Sequence, residues 1–83
     1  MSRGEKLLER MRANPRDWRI DDVQAVCAAF GVACTAPRKG SHYKVKHVSQ
    51  TDMLTVPARR PIKAAYIADL VQFIDAVIAR ESE

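Results

Sequence analysis

The sequence predicts an α+β domain with the element order α-α-β-β-β-α, in which helices cover one face of a three-stranded antiparallel sheet. Helical patterns flank three short runs that have the alternation and the turn residues of strands. The chain has 83 residues, 47% of them hydrophobic and 29% charged, which is enough for one small core. We therefore expect a single domain over 1–83, with a helical extension over 1–19 and the core over 20–80.

The first two elements are predicted as helices. Residues 4–13 carry apolar side chains on one face with charges between them, and Pro15 ends the pattern. We expect this first helix to pack on the outside of the core. Asp21 is predicted to cap the second helix, because Gln24 completes a capping-box pattern and Gly31 provides a stop.

Three strands and a long helix follow. The strands are predicted at 32–35, 41–47 and 53–56, with turn residues between them and Pro57 ending the last one. The final helix is the clearest element, because its apolar residues recur at i, i+3, i+4 and i+7. These residues are Ile67, Leu70, Val71, Ile74, Val77 and Ile78.

The positive charge is concentrated in the middle of the chain. The formal net charge is +4, and the segment 37–63 contains only one acid, Asp52. Its seven basic residues are Arg38, Lys39, Lys44, Lys46, Arg59, Arg60 and Lys63. Such a cluster is typical of a surface that meets a polyanion, most often a nucleic acid. An evenly solvated surface with chance clustering is the alternative.

The second strand carries the residues that point to chemistry. Because side chains alternate along a strand, its six central residues divide between two faces. One face carries His42, Lys44 and Lys46, and the other carries Tyr43, Val45 and His47. The apolar pair should face the helices, so His42 is expected on the open, basic face.

His42 is therefore the candidate catalytic residue. An imidazole can exchange a proton near neutral pH, while neighbouring cations can hold a phosphate. Gly40 and Ser41 would allow a tight turn and offer a hydroxyl or an amide to a phosphate oxygen, although a plain hairpin turn explains the glycine equally well. A solvated surface histidine is the alternative for His42. His47 is expected to be a structural residue that makes one hydrogen bond.

Other classes of site and location fit the sequence less well. The spacing of Cys27 and Cys34 and the opposite faces of the two histidines disfavour a zinc site, and we expect no metal and no cofactor. Two cysteines are few for a secreted chain of this size, which favours a reducing cytoplasm. The sequence has no apolar run of about 18 residues and no leader pattern, so we expect no membrane association.

The stretches "KGSHYKVKH" and "LTVPARRPIK", followed by an amphipathic helix, resemble the HicA-like toxins of bacterial toxin–antitoxin modules. The resemblance extends from about Val23 to Ile78, and its most specific parts are Gly-Ser-His at 40–42 and Thr-Val-Pro at 55–57. Two features depart from the family pattern: the first helix is longer, and "PARRPIK" replaces a polar, glycine-bearing loop.

The resemblance implies a fold similar to the double-stranded-RNA-binding domain and the activity of an mRNA interferase. It implies that His42 cleaves RNA, with Gly40 and Ser41 carried over from the motif, and that a HicB-like antitoxin covers the site. The free toxin is expected to be a monomer. The strand pattern and the charge distribution, not the family, suggest the remaining RNA-binding residues: Arg38, Lys39, Lys44, Lys46, Arg59 and Arg60.

Three functions follow from these observations. In a metal-independent endoribonuclease, His42 would take a proton from a 2′-hydroxyl or from water, and cations would stabilise the charge on phosphorus. Lys44, His47 or water could protonate the leaving oxygen. A non-catalytic RNA-binding module of the same fold is the second possibility. The third is a protein-interaction domain whose basic face meets an acidic partner.

Overall fold

The computed structural model describes residues 2–82 and confirms the α+β class and the predicted element order. The elements are α1 (Arg3–Ala13), α2 (Ile20–Ala29), β1 (Ala33–Thr35), β2 (His42–Lys46), β3 (Leu54–Pro57) and α3 (Ala64–Glu81). The strands form one antiparallel sheet in the order β1-β2-β3. Each strand begins within one residue of its predicted start.

One face of the sheet is covered, and the alternation along β2 determines which one. Val45 lies opposite Cys34 on β1 and opposite Leu54 on β3, while Tyr43 lies opposite Val56. Val45 and Val56 are fully buried with the apolar faces of the helices. Helix α2 contacts β1 and helix α3 contacts β3, so the predicted inner face is confirmed.

Helix α1 belongs to the core, and the expectation that it packs on the outside was wrong. Leu8 and Met11 are 3% and 0% exposed and join the main hydrophobic cluster. The helix can approach this closely because Gly4 has no side chain: a Cβ atom there would collide with the Cβ of Ala29 on α2. A buried helix position ordinarily carries an apolar side chain, but the close approach of α1 to α2 leaves room only for a glycine at this one.

The capping of α2 also differs from the prediction. The helix begins at Ile20, and the Asp22 carboxylate accepts a hydrogen bond of 3.0 Å from the backbone N–H of Arg19. Asp21 therefore lies inside the first turn rather than at the cap. There the negative charge of Asp21 interacts favourably with the positive end of the helix dipole. Acids are common both at this position and at the cap, so the sequence alone did not distinguish the two.

Two further contacts connect α1 and the segment after it to the rest of the fold. The Arg12 guanidinium donates two hydrogen bonds to the Asp75 carboxylate on α3, at 2.5 and 2.8 Å. The backbone N–H of Ile62 donates to the carbonyl of Trp18 at 2.9 Å, so the segment after α1 pairs with the β3–α3 linker.

Within residues 2–82, no helix is long and apolar enough to cross a membrane.

Candidate nucleic-acid interface

The open face of the sheet presents the basic residues of β2. His42, Lys44 and Lys46 are all exposed. Lys44 lies between Thr35 on β1 and Thr55 on β3, and these short neighbours leave its ammonium group accessible. The alternation predicted from the sequence therefore brings an imidazole and two ammonium groups to one solvent-facing surface.

The turn before β2 determines where His42 lies. Gly40 has φ of +85°, a left-handed conformation that side-chain-bearing residues rarely adopt. The next carbonyl, that of Ser41, accepts a hydrogen bond of 2.6 Å from the backbone N–H of Ala58. This bond holds the start of β2 against the end of β3, where His42 is paired with Pro57. His42 thus stands on a backbone that is held against the end of β3.

Four of the predicted site residues line one cleft. The cleft has a volume of about 510 Å³, and its lining residues are Thr35, Ala36, Pro37, Arg38, Lys39, His42 and Lys44. Among residues 2–82 its lining therefore includes an imidazole and three cations and no acidic side chain. Across residues 2–82 the His42 ring has no hydrogen bond or ion pair, and none of these three cations has an acidic partner. An anion entering this cleft meets positive charge that is not already neutralised.

The remaining predicted residues lie outside that cleft. Lys46 lines a different depression, beside Asp52 and Met53 in the β2–β3 loop. Arg60 lines a third one, near the start of α2. Arg59 is exposed in the β3–α3 linker, one residue after Ala58. Gly40 and Ser41 shape the entrance of β2 and do not line the cleft. The basic set is thus spread over several surfaces.

His47 is a structural residue in the described chain, and it makes more contacts than the one that we expected. Its side chain is only 12% exposed, and its Nδ1 accepts a hydrogen bond of 3.1 Å from the backbone N–H of Ser49. Because Nδ1 is an acceptor, the ring proton lies on Nε2, which is 3.3 Å from Oε1 of Glu81. His47 therefore connects the end of β2 to the last turn of α3, away from the open face.

The two thiols are directed into the core, and their environment does not activate them as nucleophiles. Burial raises the pKa of Cys27 to about 12, and burial also raises the pKa of Cys34. Both cysteines are free thiols, and a protonated thiol is a poor nucleophile and metal ligand. Residues 2–82 contain no cluster of three or more side chains that could hold a metal ion.

Searches against family models, curated proteins and solved structures find no match to this chain. The resemblance to HicA-like toxins therefore depends on the motif residues themselves, and the likeness to the double-stranded-RNA-binding domain remains a prediction from the sequence.

Proposed function

We propose that this protein is a metal-independent endoribonuclease, an mRNA interferase similar to the HicA-like toxins, and that His42 is its catalytic residue. The observation that carries this proposal is the unpartnered His42 imidazole in a cleft with Arg38, Lys39 and Lys44. A stabilising role would require a partner for His42, and residues 2–82 offer none.

The reaction would begin with proton transfer to the imidazole. His42 takes the proton of a 2′-hydroxyl or of a water molecule, and the resulting oxygen attacks the neighbouring phosphorus. The extra negative charge on the phosphoryl oxygens is stabilised by the cations that line the cleft, which act as fixed positive charges from the start of the reaction. The P–O bond to the leaving oxygen then breaks. That oxygen receives its proton from Lys44 or from water, because His47 is held on the other face by Ser49 and Glu81.

The proposed partners follow from the same surface. The RNA backbone would be held chiefly through phosphate contacts, which give affinity without sequence selection. A HicB-like antitoxin in the cytoplasm would silence the protein by covering the His42 cleft. Since the described lining of this cleft has three cations and no acid, the covering surface should be acidic.

A non-catalytic RNA-binding module is the second candidate, and one observation favours it. Among the lining residues that the structure describes, His42 carries the one imidazole, the side-chain type suited to general acid–base catalysis, and the other ionisable side chains are those of Arg38, Lys39 and Lys44. A cleft with one such group is well suited to hold a phosphodiester, whereas cleavage also requires a proton donor for the leaving oxygen.

Incubation of the purified protein with labelled single-stranded RNA in excess EDTA separates the two candidates. The endoribonuclease proposal predicts strand scission by the unmodified protein and none by His42→Ala, with both proteins still binding RNA. Binding without scission by the unmodified protein would favour the binding module. Scission by His42→Ala at the unmodified rate would remove His42 from the mechanism.

A further inference from the structure

A second basic depression forms where the segment after α1 meets the β3–α3 linker. It has a volume of about 270 Å³ and is lined by Asp17, Arg19, Arg60 and Pro61. Arg60 is one of the residues predicted to bind RNA, whereas Arg19 belongs to the N-terminal extension, for which the sequence suggests no role in binding. The depression therefore joins two parts of the chain that are 41 residues apart.

Backbone hydrogen bonds fix both sides of this depression. The carbonyl of Trp18 accepts from the N–H of Ile62 at 2.9 Å, which aligns the residue after Trp18 with the linker. The N–H of Arg19 donates to the Asp22 carboxylate at 3.0 Å. The backbone of Arg19 is thus held in place while its side chain remains exposed.

The depression is connected to the His42 cleft through the linker. The N–H of Ala58 donates to the Ser41 carbonyl, one residue before His42. Arg60 follows Ala58 by two residues, so their Cα atoms are at most about 7 Å apart. A strand of RNA with one phosphate at His42 would therefore have Arg59 and Arg60 close to its continuation.

The charges suit a phosphate group. Arg19 and Arg60 supply two guanidinium groups against the single carboxylate of Asp17, and none of these three side chains forms an ion pair within residues 2–82. The guanidinium group donates in a planar fork that matches phosphate oxygens. The Asp22 carboxylate on α2 already accepts a hydrogen bond from the backbone N–H of Arg19.

We propose that Arg19, together with Arg60, binds a phosphate of the RNA beyond the one held at His42, so that the N-terminal extension positions the substrate. This inference rests on the proposed RNA-directed function and adds an RNA contact from outside the resemblance to HicA-like toxins. Arg19 is a positioning residue, because it lies in a separate depression from the imidazole.

Fluorescence anisotropy with labelled single-stranded RNA of about 16 nucleotides tests the contact, in a His42→Ala background that prevents cleavage. We expect Arg19→Gln to weaken binding by about threefold to tenfold and to reduce the slope of log affinity against log salt by about 0.7. The matched control is Lys6→Gln, which removes one exposed positive charge from α1 beside Arg3 and Arg10. It should change the affinity by less than about twofold, as expected for a cation that contacts no phosphate.

A cleavage assay gives the second readout. With His42 restored, Arg19→Gln should slow the cleavage of the long RNA and leave the cleavage of a dinucleotide unchanged, because a dinucleotide cannot reach the second depression. Equal effects of Arg19→Gln and Lys6→Gln on the long RNA would overturn the inference and leave the proposed function intact. Failure of the parent protein to bind RNA at all would instead reject the proposed function, and this inference with it.

Discussion

The histidine that begins β2 and the histidine that follows its last residue stand in opposite circumstances. His42 is exposed, has no partner among the described residues and shares a cleft with three cations. His47 is nearly buried and is held by Ser49 and Glu81. The two positions are five residues apart, an odd number, so the alternation that places His42 on the open face directs His47, one residue past the strand, toward the other face. The comparison teaches that the partners of a histidine, rather than its presence in a motif, distinguish a chemical role from a structural one.

Adjacent residues of β2 should show the largest difference in stability. Val45→Ala removes two methyl groups from a fully buried side chain and should lower the free energy of unfolding by about 2 to 3 kcal/mol. Lys44→Ala, one residue away on the open face, should change it by less than about 0.5 kcal/mol. Urea denaturation measures both. Similar losses for the two variants would mean that the open face also supports the fold.

The close contact between α1 and α2 gives the next effect. Gly4→Ala forces a Cβ against that of Ala29, and we expect it to cost about 1 to 2 kcal/mol, since overpacking outweighs the better helix propensity of alanine. Combining it with Ala29→Gly restores the space, so the double variant should be more stable than the two separate losses predict. If urea denaturation shows that the double variant loses the sum of the two single losses, the collision between the two Cβ atoms is not the reason that Gly4→Ala destabilises the protein.

The smallest effect concerns the pair that joins α1 to α3. The hydrogen bonds from Arg12 lower the pKa of Asp75, so the pair adds stability above the unfolded pKa of about 4, and this is lost as the pH falls through the folded pKa. Both side chains are about two-fifths exposed, at 43% and 40%, so Arg12→Gln should cost only about 0.5 to 1 kcal/mol at neutral pH.

The pH dependence of that loss identifies its origin. The difference between the unmodified protein and Arg12→Gln in urea denaturation should shrink as the pH falls below about 4 and through the lowered folded pKa of Asp75, below which the carboxyl group is protonated in both states. Arg3→Gln, which removes an exposed cation without a partner in residues 2–82, should show no such pH-dependent difference. A loss that persists undiminished in acid would mean that Arg12 acts through packing instead.

Local patterns were sufficient to predict most of the fold. The periodicity of Ile67, Leu70 and Ile74 indicates the buried face of α3, and alternation assigns His42 and Val45 to opposite faces of β2. These predictions succeed because each depends only on neighbouring residues. The cleft is partly predictable for the same reason, since Arg38, Lys39, His42 and Lys44 lie within seven consecutive positions.

Contacts between distant residues could not be predicted in this way. Arg12 and Asp75 are 63 positions apart, and no periodicity within either helix indicates that they meet. Gly4 resembles a weak helix position until Ala29 is seen beside it. The pairing of Arg19 with Arg60 depends on the bond between Trp18 and Ile62, so the extension could not be assigned to a site from the sequence. In each case the information lies in the packing of elements, not within one of them.

The most direct test of the division between the two histidines measures RNA cleavage and thermal unfolding on His42→Ala and His47→Ala side by side. We expect His42→Ala to abolish cleavage and to change the free energy of unfolding by less than about 0.5 kcal/mol. His47→Ala should instead lower that free energy by about 1 to 2 kcal/mol, because it removes the contacts to Ser49 and Glu81, and it should leave cleavage nearly intact below its melting temperature. Cleavage that survives in His42→Ala, or is abolished in a folded His47→Ala protein, would contradict the account.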